Sequence, residues 1–285
     1  ALNESLRSLD LHDNVLDELP GDIAQLGRLV TLDLSANALE SLPDDLGGLS
    51  SLRVLDVRSN ALTELPPSIG NLRELVELRC ASNALRALPG ELVGLGGLQL
   101  LEAQGNRLSG LPDGLLGAGG PPLRALIVDD NELSSLGLSG GSAGDESDLE
   151  ILHAAFNSIE ALDEALVAAL PKLRVLDIRG NALSTLPESA LLERAPSLEV
   201  LAADGNPLND EGAAALANVG AQRAVAVTEA EREECEVGLG ASYAPPCVDD
   251  DGDGEADVNR VAFTEDAGGC PSSPRLSTLC AIKSS

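Results

Sequence analysis

The chain has 285 residues, of which 47 are acidic and 18 are basic, so its formal net charge at pH 7 is −29. A surface this negative repels phosphate groups, which excludes nucleic acids and anionic membranes as partners and favours a protein with a basic patch or a divalent cation. No apolar run approaches the roughly 20 residues that a bilayer-spanning helix needs, so we expect no membrane insertion of this chain. The sequence has no P-loop, nucleophile elbow or zinc-protease motif, and we expect no catalytic residues.

A repeated pattern occupies the first three quarters of the chain. The template L-x-x-L-x-L-x-x-N-x-L-x-x-L-P occurs five times between Leu6 and Pro112, and its asparagine recurs every 23 residues. Looser copies follow at spacings of 25, 26, 24 and 25 residues. Together the copies contain the ladder asparagines Asn14, Asn37, Asn60, Asn83, Asn106, Asn131, Asn157, Asn181 and Asn206. The nine copies cover residues 6 to about 216 and predict a repeat architecture.

Within each copy, the L-x-L segment alternates leucine with a variable residue, which is typical of a short strand that buries one face. One such strand has no surface against which to pack. Successive copies must therefore share one leucine core and pair their strands in a parallel sheet. Each ladder asparagine falls where the backbone turns away from the strand, and its amide both donates and accepts hydrogen bonds. We predict that the ladder asparagines are structural.

The pattern resembles the leucine-rich repeat family, and LPPSIGNLREL from Leu65 resembles its Ras-group type. This resemblance implies an α/β solenoid with a curved parallel sheet on the concave side and short turns or helices on the convex side. We assign residues 1–228 to the solenoid, with a closing strand at 223–227, and residues 229–285 to an irregular, disulfide-rich tail. The resemblance also implies a non-enzymatic module that binds another macromolecule through its concave strand face.

The connecting segments differ between the early and the late copies. Glycine in the early segments, such as DDLGGLSS and ELVGLGGL, predicts turns or single helical turns. The apolar spacing at 161–173 predicts a short helix, and 188–198 is a second candidate. The segment 206–220 resembles the helical part of ribonuclease-inhibitor-like repeats. A Gly/Ser-rich insertion at 137–147 interrupts the sixth copy, and it is either a functional loop or a neutral insertion.

The outward strand positions form the candidate partner-binding surface. Aspartates form an acidic strip in the first copies, whereas Ile127 and Phe156 make the middle apolar, and aromatic side chains often anchor interfaces. Two alternatives stay open, namely ordinary solvation of the acids and local packing of Phe156. The candidate residues are Asp10, Asp33, Asp56, Arg58, Arg79, Glu102, Gln104, Ile127, Asp129, His153, Phe156, Asp177 and Arg179.

The five cysteines fall into two groups. Cys80 occupies an inward leucine position, so we expect a buried free thiol. Four others lie in a tail that has little hydrophobic periodicity, and they suggest two disulfides in one of three pairings. These tail cysteines are Cys235, Cys247, Cys270 and Cys280. Disulfides indicate an oxidising compartment, which is extracellular, at the cell surface or periplasmic, and the Ala-, Gly- and Asp-rich composition suggests a bacterial exported protein.

The tail also contains a candidate calcium loop with carboxylates at Asp249, Asp251, Asp253 and Asp257. Alternating carboxylates around a glycine supply the oxygen ligands that Ca²⁺ prefers. The loop resembles those of thrombospondin type 3 repeats, dockerins and EF-hands, which implies a carbonyl ligand from Glu255. Arg260 stands where those families have an acid, and a solvated acidic linker is the alternative. His12 and His153 have no cysteine or carboxylate at ligand spacing, and we expect neither to bind metal.

These observations predict an exported, monomeric protein-recognition module with a tail ordered by calcium and disulfides. Two other functions are compatible with the sequence. The chain could be a calcium-ordered structural spacer, or it could be the recognition part of a larger enzyme or receptor.

Overall fold

A computed structural model of the chain describes residues 5–117, 119–137 and 147–223. Most of the predicted insertion at 137–147 lies outside these residues. The same holds for residues 224–227 of the predicted closing strand, the four tail cysteines and the candidate calcium loop. The account that follows concerns the described residues.

The described residues contain a parallel sheet of nine three-residue strands, in which each strand pairs with its neighbours in sequence order. The strands are β1 (Ser8–Asp10), β2 (Thr31–Asp33), β3 (Val54–Asp56), β4 (Glu77–Arg79), β5 (Leu100–Glu102), β6 (Ala125–Ile127), β7 (Ile151–His153), β8 (Val175–Asp177) and β9 (Val200–Ala202). The register pairs equivalent positions, so that Asp10 lies beside Asp33 and Glu102 lies beside Ile127. The predicted stacking of the copies is confirmed.

The connecting segments follow the predicted division between early and late copies. Single turns of 3₁₀ helix occupy Gly21–Gln25, Leu46–Gly48, Pro67–Asn71 and Gly90–Gly94. Short α-helices follow at α1 (Glu164–Ala169), α2 (Glu188–Glu193) and α3 (Asp210–Arg223). The Asp163 carboxylate caps α1 by accepting a hydrogen bond from the backbone N–H of Ala165 at 2.8 Å. No helix in these parts of the chain has the length and hydropathy of a membrane span.

The end of the repeats differs from the prediction at one described residue. Arg223, the first residue of the predicted closing strand, lies at the end of helix α3. The preceding segment is rich in alanine, which has the highest helix propensity. The helix therefore includes the position at which the predicted strand began. The strand prediction rested on the β-branched residues that follow in the sequence.

The core is a column of leucines contributed by every copy. The middle residue of each strand from β2 to β9 is a leucine with at most 1% of its surface exposed, and Leu9 of β1 at the end of the column is partly buried. Cys80 takes an inward position in the same column and is a buried free thiol, as predicted. Burial in this apolar interior raises the pKa of its thiol.

Each ladder asparagine after the first joins its repeat to the preceding one. Asn106 accepts a hydrogen bond from the backbone N–H of Leu85 and donates to the carbonyl oxygen of Cys80, each at 3.0 Å. It also donates to the carbonyl of Ala103 in its own repeat. Equivalent bonds recur at every ladder asparagine from Asn37 to Asn206. The prediction that these residues are structural is confirmed.

The residue before each ladder asparagine has a positive φ. Nine residues share this left-handed conformation, with φ between 51° and 69°, and they are Asp13, Ala36, Ser59, Ser82, Gly105, Asp130, Phe156, Gly180 and Gly205. Side chains other than glycine are strained here, and a bulky residue more than a small one. The ladder hydrogen bonds that follow each turn offset this strain, because they satisfy backbone groups that would otherwise be buried without partners.

We expect Asn106→Ala to lower the free energy of unfolding by about 3 kcal/mol, because it leaves the N–H of Leu85 and the carbonyl of Cys80 without their partner in the interior. Urea unfolding followed by circular dichroism measures this change. Asn14→Ala is the matched control, because Asn14 is exposed and the two hydrogen bonds that its side-chain amide makes in the described structure go to Leu11 and His12 of its own repeat. Equal losses in the two variants would contradict a role of the ladder in joining repeats.

Candidate functional site

The face of the sheet opposite the leucine core, here called the strand face, contains two parallel rows of side chains. The register of the strands aligns a central row consisting of Asp10, Asp33, Asp56, Arg79, Glu102, Ile127, His153, Asp177 and Ala202. Two residues further along each copy, an outer row consists of His12, Ser35, Arg58, Ala81, Gln104, Asp129, Ala155, Arg179 and Asp204. The structure thus brings all the predicted contact residues except Phe156 into these two rows.

Four copies use the same contact between the two rows. In each, an aspartate of the central row accepts a hydrogen bond from the backbone N–H two residues later, at 2.9–3.2 Å. The side chain of that later residue donates to the same carboxylate. The pairs are Asp10–His12, Asp33–Ser35, Asp56–Arg58 and Asp177–Arg179. This contact fixes the direction of the outer-row side chain, because the aspartate of the same copy accepts hydrogen bonds from its donor groups.

A cluster of charges occupies the middle of the strand face. Arg58 binds Asp56 with two nitrogens, Nε at 2.9 Å from Oδ1 and Nη2 at 2.7 Å from Oδ2. Arg79 donates from Nη2 to Oε2 of Glu77 at 2.8 Å. The Nε atom of Arg79 lies 3.9 Å from Oε2 of Glu102, which is beyond hydrogen-bond distance. Each arginine is therefore held by an acid of its own copy.

Glu102 is the most unusual residue of this cluster. It has 0% of its surface exposed, and neither of its carboxylate oxygens has a hydrogen-bond partner among the residues that the structure describes. Burial raises the pKa of this carboxyl to about 7, and the positive charges of Arg79 and Arg58 oppose the rise. The amide oxygen of Gln104, next to it in the outer row, is also buried without a partner.

The residues of the two rows differ widely in exposure. The buried members of the two rows among the predicted contact residues are Asp56, Glu102, Gln104, Ile127 and Asp177, each with at most 7% of its surface exposed. Neighbouring parallel strands are only about 4.8 Å apart, so long side chains on adjacent strands cover one another. Asp10, by contrast, is exposed at the end of the sheet, and Asp33 is half-buried.

Both histidines have carboxylate neighbours that sequence spacing did not reveal. Ligand atoms of Asp10, His12 and Asp33 lie within 4.8 Å of one another, and the hydrogen bond with Asp10 raises the pKa of His12. The Nδ1 atom of His153 lies 3.6 Å from Oδ2 of Asp129. Burial lowers the pKa of His153, but the carboxylates of Asp129 and Asp177 raise it, and the net shift of the pKa is upward. Asp33 and Asp129 come from adjacent copies, so spacing along the sequence did not reveal them, whereas Asp10 lies two residues before His12 in the same copy.

Phe156 lies on the turn before Asn157, outside the two rows. Its φ is 52°, which is unusual for a bulky residue, and 47% of its surface is exposed. Its ring lies over Gly180 of the next turn, where an added Cβ would come within 2.6 Å of Cδ1 of the ring. Phe156 therefore packs locally with one side of its ring, as the alternative interpretation predicted, and about half of its surface is exposed.

A second concave feature lies at the proline segments that follow the ladder asparagines. It is an open groove of about 680 Å³ between the second and fourth copies. Its lining includes Pro43, Pro66 and Pro89, and its acidic residues are Asp44, Glu64 and Glu91. The groove lies away from the rows of the strand face and contains none of the predicted contact residues.

Comparison with known proteins agrees with this geometry. The Leucine rich repeat family matches residues 4–62 and 50–108. A search of curated proteins gave no match. The described sheet and helices fit a leucine-rich repeat solenoid. An LRR protein of Leptospira interrogans is similar in structure, with a TM-score of 0.68 and 29% identity over 78% of this chain. This chain spans 55% of the length of the Leptospira chain.

Two further solved structures are similar. The LRR ectodomain of the plant membrane receptor kinase GASSHO1/SCHENGEN3 from Arabidopsis thaliana, in complex with CASPARIAN STRIP INTEGRITY FACTOR 2, has a TM-score of 0.55 and 26% identity. The match covers 77% of this chain and 29% of the receptor chain. A chain of the octameric complex of latrophilin 3, Unc5D and FLRT2 (LRR) has a TM-score of 0.66 over 78% of this chain and 69% of its own length. At 24% identity, that likeness shows the fold alone.

We expect the stability of the protein to depend on pH through Glu102. Its pKa is raised from an ordinary 4.5 to about 7 in the folded state, so the folded protein holds this proton more tightly than the unfolded chain. The free energy of unfolding therefore falls by about 3 kcal/mol as pH rises from 4.5 to 8. Glu102→Gln removes this contribution and should stabilise the protein relative to wild type more at pH 8 than at pH 5.

Urea unfolding at pH 5 and pH 8 measures the effect. Glu74→Gln, at an exposed position immediately before the fourth copy, makes the same chemical change and should show no such difference between the two pH values. A Glu102→Gln variant whose stability relative to wild type is the same at both pH values would show that the carboxyl titrates normally.

Proposed function

We propose that the chain is a protein-recognition module that binds its partner through the strand face, the concave side of the solenoid. The observation that carries this proposal is the fixed arrangement of charges in the central and outer rows. Charged side chains that are already held by hydrogen bonds lose little conformational entropy when a partner binds, which favours specific recognition. The similarity to a plant receptor ectodomain in complex with another factor supports the same function.

The charge of the strand face favours a partner with a basic patch. The two rows contain seven acidic residues and three arginines, and the acidic residues are Asp10, Asp33, Asp56, Glu102, Asp129, Asp177 and Asp204. Two of the arginines, Arg58 and Arg179, are paired with aspartates within the rows, and Arg79 is paired with Glu77. The remaining negative charge, together with the net charge of −29, attracts a basic surface and speeds its association.

An extracellular or surface location fits this function. The receptor ectodomain to which the chain is similar belongs to a membrane receptor kinase. Disulfides between Cys235, Cys247, Cys270 and Cys280 would require an oxidising compartment. A second form of the same proposal is therefore that the chain is the recognition part of a longer receptor.

We expect reversal of the charges in the acidic strip to weaken binding of the partner. The double variant Asp10→Lys/Asp33→Lys changes two central-row residues that reach solvent. A partner isolated by affinity capture on the wild-type chain should bind this variant at least about tenfold more weakly in low salt, because like charges now face each other. Surface plasmon resonance at several salt concentrations measures the affinity, and the difference should shrink as salt increases.

The matched control is Asp17→Lys/Glu40→Lys. These exposed residues belong to the same two copies and occupy equivalent positions outside the strand face. The control therefore makes the same change in net charge at a different surface. The proposal fails if both double variants weaken binding to the same extent, since the charge effect would then be non-specific.

We also propose that the loop from Asp249 to Asp257 binds Ca²⁺, a proposal that rests on its alternating carboxylates. Calorimetric titration of the whole chain with CaCl₂ should show binding with a Kd of about 10⁻⁴ to 10⁻³ M, as in other extracellular modules. Asp251→Ala should abolish the signal, whereas Asp250→Ala, which removes a carboxylate outside the alternating set, should retain it. The absence of heat from the wild type, or an equal loss in both variants, contradicts a calcium site at this loop.

A further inference from the structure

Two acceptor groups in the middle of the strand face lack donors. Both carboxylate oxygens of Glu102 and the amide oxygen of Gln104 are buried without a hydrogen-bond partner. These residues have 0% and 7% of their surface exposed, respectively. Buried polar groups in folded proteins are nearly always hydrogen-bonded, and a buried acceptor without a partner lowers stability. Two such groups on neighbouring outward positions therefore indicate a donor that the described part of the chain does not supply.

The nearby arginines donate hydrogen bonds to other acids, although Arg79 also lies within ion-pair distance of Glu102. Arg58 gives Nε and Nη2 to Asp56, and Arg79 gives Nη2 to Glu77. The Nε atom of Arg79 remains 3.9 Å from Glu102 and is itself buried without a partner. On the other side, the central-row neighbour of Glu102 is Ile127, whose side chain has no donor.

The charges around Glu102 indicate the kind of donor that fits. Asp56, Glu77 and Glu102 carry three negative charges when ionised, whereas Arg58 and Arg79 carry two positive charges. A third cation would neutralise the cluster and donate to both unsatisfied acceptors. An acidic or phosphorylated segment would be repelled and would offer these oxygens no suitable donors.

We propose that Glu102 and Gln104 form the binding site for one lysine or arginine side chain of the partner protein. This inference rests on the proposed function and assigns the residues that recognise the basic patch. The side-chain nitrogen of the partner donates to the Glu102 carboxylate and to the amide oxygen of Gln104. Access requires rotation of Arg79, whose side chain is 19% exposed and would lose one hydrogen bond, that to Glu77.

The probe is the peptide acetyl-hexalysine-amide, titrated into the whole chain. The variants are Glu102→Gln and the exposed control Glu74→Gln, which have the same net charge. Isothermal titration calorimetry gives the affinities, and ¹³C NMR of the glutamate carboxyl groups reports on Glu102 directly. We expect Glu102→Gln to weaken binding about tenfold or more and Glu74→Gln to weaken it less than about twofold, because only Glu102 pairs with a desolvated cation.

Two further measurements keep the test independent of folding defects. Gln104→Leu removes the other acceptor and should weaken binding in the same direction. The same peptide with N-ε-acetylated lysines has no positive side chains and should not shift the Glu102 carboxyl resonance. Binding of the unmodified peptide should release a proton near pH 7, because a cation beside Glu102 favours its ionised carboxylate. The other charged or titratable groups that act on this carboxyl are Asp56, Glu77, Arg58 and Arg79, and the buried Cys80 lies close by.

Two outcomes would overturn the inference. One is an equal loss of affinity in Glu102→Gln and Glu74→Gln, which would mean that the peptide binds by charge alone. The other is a Glu102 carboxyl that titrates below its ordinary range in the free protein, because Arg79 would then already satisfy it. Either result leaves the proposed function intact as long as the captured partner still distinguishes Asp10→Lys/Asp33→Lys from its control.

Discussion

Hydrogen bonds between consecutive repeats are the constraint on which the strand face depends. Each ladder asparagine from Asn37 onward binds both an N–H and a carbonyl of the preceding repeat. These bonds set the distance and the register between turns, and the strands that lead into the turns inherit that register. The outward side chains therefore form straight rows, although no contact on the strand face itself is needed to align them. The order of the strand face is therefore a consequence of an internal backbone arrangement.

Sequence periodicity predicted the features that repeat in every copy. The strands, the leucine column, the ladder asparagines and the positions of α1 and α2 all follow from residues within one copy. The missed features depend on pairs of residues in different copies. The His153–Asp129 contact and the burial of Glu102 arise between adjacent strands, where the side chains of two copies meet. Periodicity gives the register of such positions but leaves open which long side chains cover their neighbours.

The arginines of the strand face do not make it basic. Arg58 and Arg179 each bind an aspartate two residues earlier in the same copy, so their charge is neutralised locally. Local pairing also holds their planar groups in one orientation. The side-chain entropy is therefore lost during folding and is not lost again when a partner binds. The strand face therefore presents an ordered set of paired charges with an excess of hydrogen-bond acceptors. Only a partner that supplies donors would gain binding free energy from these acceptors.

Glu102 shows how a repeat architecture tolerates a costly residue. It lies in the fifth copy, with four copies on either side, and the stability of a repeat array is close to a sum of terms from individual repeats and their interfaces. A local loss there is offset by ladder bonds and leucine packing in both directions, whereas the same loss in β1 would fray the end of the stack. The middle of the sheet is thus the place where an unsatisfied acid is least harmful to folding. In the proposed function, it is also where a partner lying along the strand face would make its most desolvated contacts.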